Sequence, residues 1–144
     1  MSVFGIAASG LAAAESRLNV SAQNVVNSQT DGPLQQAQTA SAATPAADPA
    51  TPKVYQPMQL VQIALPLQNG GGVSTVVAPH PGAVQAAYDP SASYADAHGM
   101  VAAPDVDPAQ EAVSQIEALN QFKASVQVLQ NGGDMLKAVL NLKA

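Results

Sequence analysis

The chain has 144 residues, enough for one ordinary domain, and a formal net charge of −5 at pH 7. Apolar residues make up 47%, yet aromatics are only 3% and charged residues only 10%, against about a quarter charged in a typical soluble domain. Five basic residues form no basic patch, which argues against nucleic-acid binding, and the lack of cysteine excludes disulfide and thiolate chemistry.

Much of the apolar content is alanine. A core of alanines buries little area per residue, so a self-sufficient globule would be weakly held. The shortage of charge points to a surface that faces protein. The segment from Met1 to Ala14 lacks the positive start of a signal peptide, and no apolar run is long enough to span a bilayer. Neither a cleaved signal nor direct membrane insertion is expected.

Three segments follow: 1–30, a helix; 31–107, a linker with a small β-containing part; and 108–144, a second helix. In the first, Phe4, Leu11, Leu18 and Val25 recur every seven residues, and Ala7, Ala14, Ser21 and Ser28 fill a companion row. This is a heptad seam with large residues on one row and small ones on the other, predicting a helix over 3–28. Asp31-Gly32-Pro33 supplies the stop.

Residues 34–52, rich in Ala, Thr, Gln, Ser and Pro, read as an extended or mobile linker. Residues 58–67 read as a strand, Asn69-Gly70-Gly71-Gly72 as a turn and Val73–Val77 as the return strand. Such a lone hairpin needs something to pack on.

Asp107 is a good N-cap for the last helix, with Pro108 at its first position and Gln110 in capping-box register. Leu119, Val126, Gly133 and Leu140 repeat by seven, and Phe122, Leu129, Leu136 and Lys143 form a second row. The spacing alternates three and four, which is the coiled-coil pattern. Gly132-Gly133 costs about 2 kcal/mol relative to two alanines, so a kink or loosening is expected there. The expected fold is mainly α, with two long helices at the chain ends forming an antiparallel coiled coil around a small β-hairpin and irregular middle segment. The assembly interface expected from these rows comprises Phe4, Leu11, Leu18, Val25, Leu119, Phe122, Val126, Leu129, Leu136 and Leu140.

Several motifs resemble those of the flagellar rod and hook proteins. Ser9-Gly10-Leu11, Arg17-Leu18-Asn19-Val20 and Asn24-Val25-Val26-Asn27 are similar to the amino-terminal signature of that family. Gln121-Phe122-Lys123 through Leu140-Asn141-Leu142 resembles its carboxy-terminal helix. Tyr88-Asp89-Pro90, Asp96-Ala97-His98-Gly99 and Pro104-Asp105-Val106-Asp107 are similar to the run before that helix in proximal-rod members. The family motif residues are thus Ser9, Gly10, Leu11, Arg17, Leu18, Asn24, Asn27, Tyr88, Pro90, Asp96, Gly99 and Pro104. The chain departs from the family at Thr30-Asp31-Gly32-Pro33, where relatives carry an aromatic and basic residues.

The resemblance implies a structural, non-enzymatic subunit of the basal-body rod. It would be exported through the flagellar type III apparatus without a cleaved signal and would polymerise with itself and other rod subunits into a torque-transmitting tube. Assembly would order helices that stay loosely held beforehand. No cofactor, metal or small-molecule substrate is implied. His80 and His98 sit near Pro or Gly with nothing to complete a metal site, and Ser9 lacks the second Gly of a nucleophile elbow. Two alternatives stand beside this reading: another flagellar axial protein, and a helical binding module outside the flagellum.

Overall fold

A computed structural model of the chain describes residues 3–34, 52–66, 68 and 70–142. The elements are α1 (Val3–Val26), β1 (Met58–Ala64), β2 (Val73–Pro79), β3 (Val84–Tyr88), β4 (Met100–Pro104) and α2 (Pro108–Leu142). Most of the linker expected over 34–52 lies outside the described residues.

Helix α1 ends at Val26, earlier than the Asp31-Gly32-Pro33 stop. The side chains beyond Val26 take over the last carbonyls: Asn27 Nδ2 donates to Gln23 O at 2.9 Å and Ser28 Oγ to Val25 O at 2.9 Å. Gly32 has another role. It is buried and exchanges two backbone hydrogen bonds with Ala102, at 2.8 and 2.9 Å. A Cβ there would lie 2.5 Å from Val54 N. Only glycine permits this close backbone approach.

The helices at the chain ends and the β1–β2 hairpin are as expected, but a mainly α fold is not. Among the described residues, four strands form two two-stranded sheets, β1–β2 and β3–β4. In the second, antiparallel pairing runs from Val84↔Pro104 to Tyr88↔Met100. Its strands, Val-Gln-Ala-Ala-Tyr and Met-Val-Ala-Ala-Pro, are poor in the β-branched and aromatic residues by which strands are recognised. Their environment holds them extended: Val101 and Ala102 are fully buried.

Asp107 caps α2, its carboxylate accepting from Ala109 N at 2.9 Å, and Pro108 opens the helix. No interruption occurs at Gly132-Gly133; the helix runs unbroken over 35 residues. The glycine there makes room for a neighbour, since a Cβ on Gly132 would lie 3.2 Å from Phe4 Cζ.

Two compact units make up the chain. The first contains residues 1–21, 60–78 and 112–144, the second residues 22–59 and 79–111. In the first, Phe4 meets Gly132, Gly10 meets Ser125, and Arg17 meets Glu117. Rising numbers on α1 meet falling numbers on α2, so these stretches lie antiparallel. In the second unit, β3, β4 and the Gly32 segment surround Ala83, Val101 and Ala102, all at most 7% exposed.

Candidate assembly interface

The side chains buried on α1 are Ala7, Ala13, Ala14, Val20, Ser21 and Asn24. Ala7, Ala14 and Ser21 are the small row of the heptad pattern. On α2, Ala118 is the one buried residue, and Ser125 and Gly132 are half-buried. Small residues let helix backbones approach closely, and at Gly10 the approach is tight enough that a Cβ would lie 2.8 Å from Ser125 Oγ.

The large row behaves differently. Phe4 and Leu11 are half-buried, while Leu18 and Val25 are 43% and 39% exposed. On α2, Leu119, Phe122, Leu136 and Leu140 are between 43% and 68% exposed, and Val126 and Leu129 are half-buried. A buried alanine methyl is worth only about 0.8 kcal/mol, a fully buried Leu or Phe about 1.5–3 kcal/mol. The single chain therefore leaves much of the apolar free energy of its helices unrealised.

Ser9 Oγ donates to Ile6 O at 2.7 Å and accepts from Val73 N at 3.1 Å, fixing the start of β2 on α1. Gly72 comes so close that a Cβ there would collide with Ser9 Oγ. Beside this contact lies an open groove of about 340 Å³, walled by Ile6, Ser9, Gly10, Val73, Ser125 and Val128 among others. None of its lining residues is titratable, so it offers shape and apolar surface rather than chemistry. Arg17 pairs with Glu117 at 3.2 Å with both side chains partly exposed, an arrangement that contributes at most about 1 kcal/mol.

The second unit is organised by Asn24, only 4% exposed. Its Nδ2 donates to Met58 O at 2.9 Å and to Glu111 Oε1 at 2.7 Å. Its Oδ1 accepts from Met58 N at 2.9 Å and from the Tyr55 hydroxyl at 3.0 Å. All four hydrogen-bonding positions of the amide are thus filled. Burial, and then the Glu111 charge, raise the Tyr55 hydroxyl above its ordinary value. Asn27 stays local: its backbone carbonyl accepts from Thr30 N at 3.0 Å.

The motif residues 88–104 build the β3–β4 hairpin. Asp96 accepts from His98 N at 2.8 Å and Met100 N at 2.9 Å, and these bonds, that from Met100 foremost, lower its carboxyl. Asp89 is lowered chiefly by Ser91, whose hydroxyl and backbone N–H both donate to it. Gly99 has φ +73°, and a Cβ there would meet Tyr88 Cε2 at 3.0 Å and Pro90 Cβ at 3.1 Å. Tyr88 is exposed opposite Met100; Pro104 is buried opposite Val84.

The motif residues therefore serve in separate small clusters that shape helix ends, turns and the seam between helices. Among the described residues no three His, Cys, Asp or Glu side chains come together, and no helix is long and apolar enough to cross a membrane. Sequence reasoning passed over Tyr55, Met58, Glu111 and Ser125. Glu111, in the first turn of a helix with an identifiable cap, is the one that helix signals could have flagged. The others are visible only once distant segments meet.

Residues 97–142 match the family model described as the carboxy-terminal part of flagellar basal body rod FlgEFG proteins. Over 148 residues the chain is 32% identical to the flagellar basal-body rod protein FlgC of Salmonella typhimurium, covering 99% of this chain and 96% of that one. FlgC of Escherichia coli O157:H7 is 32% identical over 154 residues, with the same coverage. FlgC of Agrobacterium fabrum is 28% identical over 141 residues, 95% of this chain and 90% of the relative. At 32% identity over nearly the whole of both chains, the chain belongs to the FlgC family of flagellar basal-body rod proteins.

Proposed function

We propose that the chain is a structural subunit of the proximal rod of the flagellar basal body, which polymerises through the exposed apolar rows of α1 and α2. One observation carries this reading. The closest approaches between the two helices are made at small residues, Gly10 with Ser125 and Gly132 with Phe4, while Leu18, Val25, Leu119, Phe122, Leu136 and Leu140 remain 39–68% exposed. Large apolar residues at heptad spacing on an exposed face find their partners in other chains. Those partners are further copies and other rod subunits. Segments 1–30 and 108–144 form the antiparallel coiled coil of the tube wall.

Small contacts within the chain also suit passage through the flagellar type III export apparatus. A helix pair held by alanine, glycine and serine opens easily, and its ordering cost is met when subunits bury the large rows together. The proposed location is the rod, where the polymer transmits torque.

The test uses a flagellated strain whose own copy is replaced by this chain. Leu18→Asp alters a residue that is exposed in the single chain, so the purified variant should keep its helical circular dichroism. It should be exported yet absent from isolated basal bodies, and the cells non-motile. Normal motility with the variant present in basal bodies would sink the assembly reading.

A further inference from the structure

The chain holds two Asn-Gly pairs, at 69–70 and 131–132, and of their asparagines only Asn131 is among the described residues. Asn-Gly is the sequence at which an asparagine most readily loses its amide. The nitrogen of the following peptide attacks the side-chain carbon Cγ and closes a five-membered succinimide ring. The Cγ–Nδ2 bond breaks, and the proton of the attacking nitrogen leaves with the amide as ammonia. Water then adds to one of the two ring carbonyls and opens the ring to an aspartyl or an isoaspartyl link. Glycine favours the step because no Cβ crowds the attack and its backbone turns freely. Water and base are the only reagents.

In the fold this pair sits inside α2, which grants access and denies geometry. Asn131 is exposed, so water reaches it. Its Oδ1 accepts from Gln127 Nε2 at 3.2 Å, one turn back along the helix, the direction in which helical side chains lean. The Gly132 N–H is spent on the carbonyl four residues earlier, as elsewhere in an unbroken α-helix. Attack on Cγ therefore waits for local opening of α2. Gly132 and Gly133 weaken the helix there. Phe4 opposes them, since its ring covers Gly132 closely enough that a Cβ would lie 3.2 Å from Cζ. Gly132 and Gly133 are half-buried and every residue from Asp134 to Leu142 is exposed, so the pair lies at the last level of α2 that α1 covers.

We propose that Asn131 is a self-modifying site, converted to aspartyl and isoaspartyl links while α2 is open and held intact while α1 covers Gly132. Neither product restores the original helix. The isoaspartyl link adds one methylene to the main chain and shifts its hydrogen-bond register. Either product places a new carboxylate three residues before Asp134, and like charges at neighbouring helix positions disfavour the helix. A chain that stays open is thus altered where its two helices meet, and a chain whose helices close early is not. This gating depends on the α1–α2 contact and not on the rod reading.

The test holds the purified chain in mildly alkaline buffer, with and without urea, and follows it by mass-spectrometric peptide mapping. Trypsin releases residues 124–137 as one peptide, in which Asn131 is the single asparagine. Conversion should proceed steadily in urea and at least about tenfold more slowly in native buffer. Phe4→Ala uncovers Gly132 and should speed the native reaction. Gly133→Ala, where a Cβ meets nothing within 4 Å, should slow it about fivefold through helix propensity. Neither substitution should change the rate in urea. If Phe4→Ala fails to fold, Gly133→Ala carries the test. Equal rates in native buffer and urea would overturn the gating, as would native rates that ignore the substitutions. No conversion in urea would overturn the site itself.

Discussion

The ring of Phe4 occupies the space that a side chain at residue 132 would need: a Cβ on Gly132 would lie 3.2 Å from Phe4 Cζ, whereas one on Gly133 meets nothing within 4 Å. Two adjacent glycines in one unbroken helix thus have different reasons to be there. Gly133→Ala should stabilise the chain by about 1 kcal/mol, the helix-propensity gain alone. Gly132→Val should destabilise it by about 1–3 kcal/mol, because the ring must be displaced. Urea unfolding of the two variants beside the parent checks the contrast, and equal shifts would disprove the role given to Phe4.

Asn24 donates through its amide nitrogen and accepts through its oxygen, so an isosteric carboxylate cannot replace it. Asn24→Asp loses the bonds to Met58 O and to Glu111 and places a second negative charge beside the Glu111 carboxylate. We expect a loss of about 2–4 kcal/mol at pH 7. The new carboxyl is raised in the folded state, so the loss relative to the parent should shrink as pH falls below the ordinary carboxylate range. Urea midpoints at neutral and acid pH give the measurement.

Two other aspartates should show opposite pH dependence. The lowered carboxyl of Asp96 contributes stability that is present above its ordinary value of 3.8 and is lost as pH falls through the lower folded value. Asp96→Asn should therefore destabilise near neutrality and match the parent at the acid end. Asp31 is raised, first by burial and then by Asp89, so its contribution is present at acid pH and lost as pH rises through the raised value. Asp31→Asn should gain stability relative to the parent near neutrality. Variants that run parallel to the parent at all pH values would contradict both assignments.

At Gly99 the backbone conformation and the space both demand glycine. Gly99→Ala forces a Cβ into φ +73° and against Tyr88 and Pro90, for an expected cost of about 1–3 kcal/mol. Amide hydrogen exchange should show lost protection concentrated in 84–104. Loss spread evenly along both helices instead would mean that the hairpin is not where the strain falls.

The two helices, the Asp107 cap and the β1–β2 hairpin were legible in the sequence, because local rules write them: a seven-residue period, an Asp-Pro start, a run of glycines between two apolar stretches. The β3–β4 sheet was not, because Gln85-Ala86-Ala87 and Val101-Ala102-Ala103 have little preference of their own and are held extended by pairing and burial. Sequence alone likewise placed Asn24 in a recognisable motif, but not its four partners, which come from residues 55, 58 and 111.

The heptad rows are where the two sources of information meet. Periodicity by itself determined a large row and a small row on α1 and two rows of mostly bulky residues on α2, but not the small α2 row of Ala118, Ser125 and Gly132. Only the tertiary structure decided which row the chain uses on itself. Against a second helix the small residues permit the closer backbone approach, as at Gly10 and Gly132, while Leu18, Val25, Leu119, Phe122, Leu136 and Leu140 stay 39–68% exposed in the single chain.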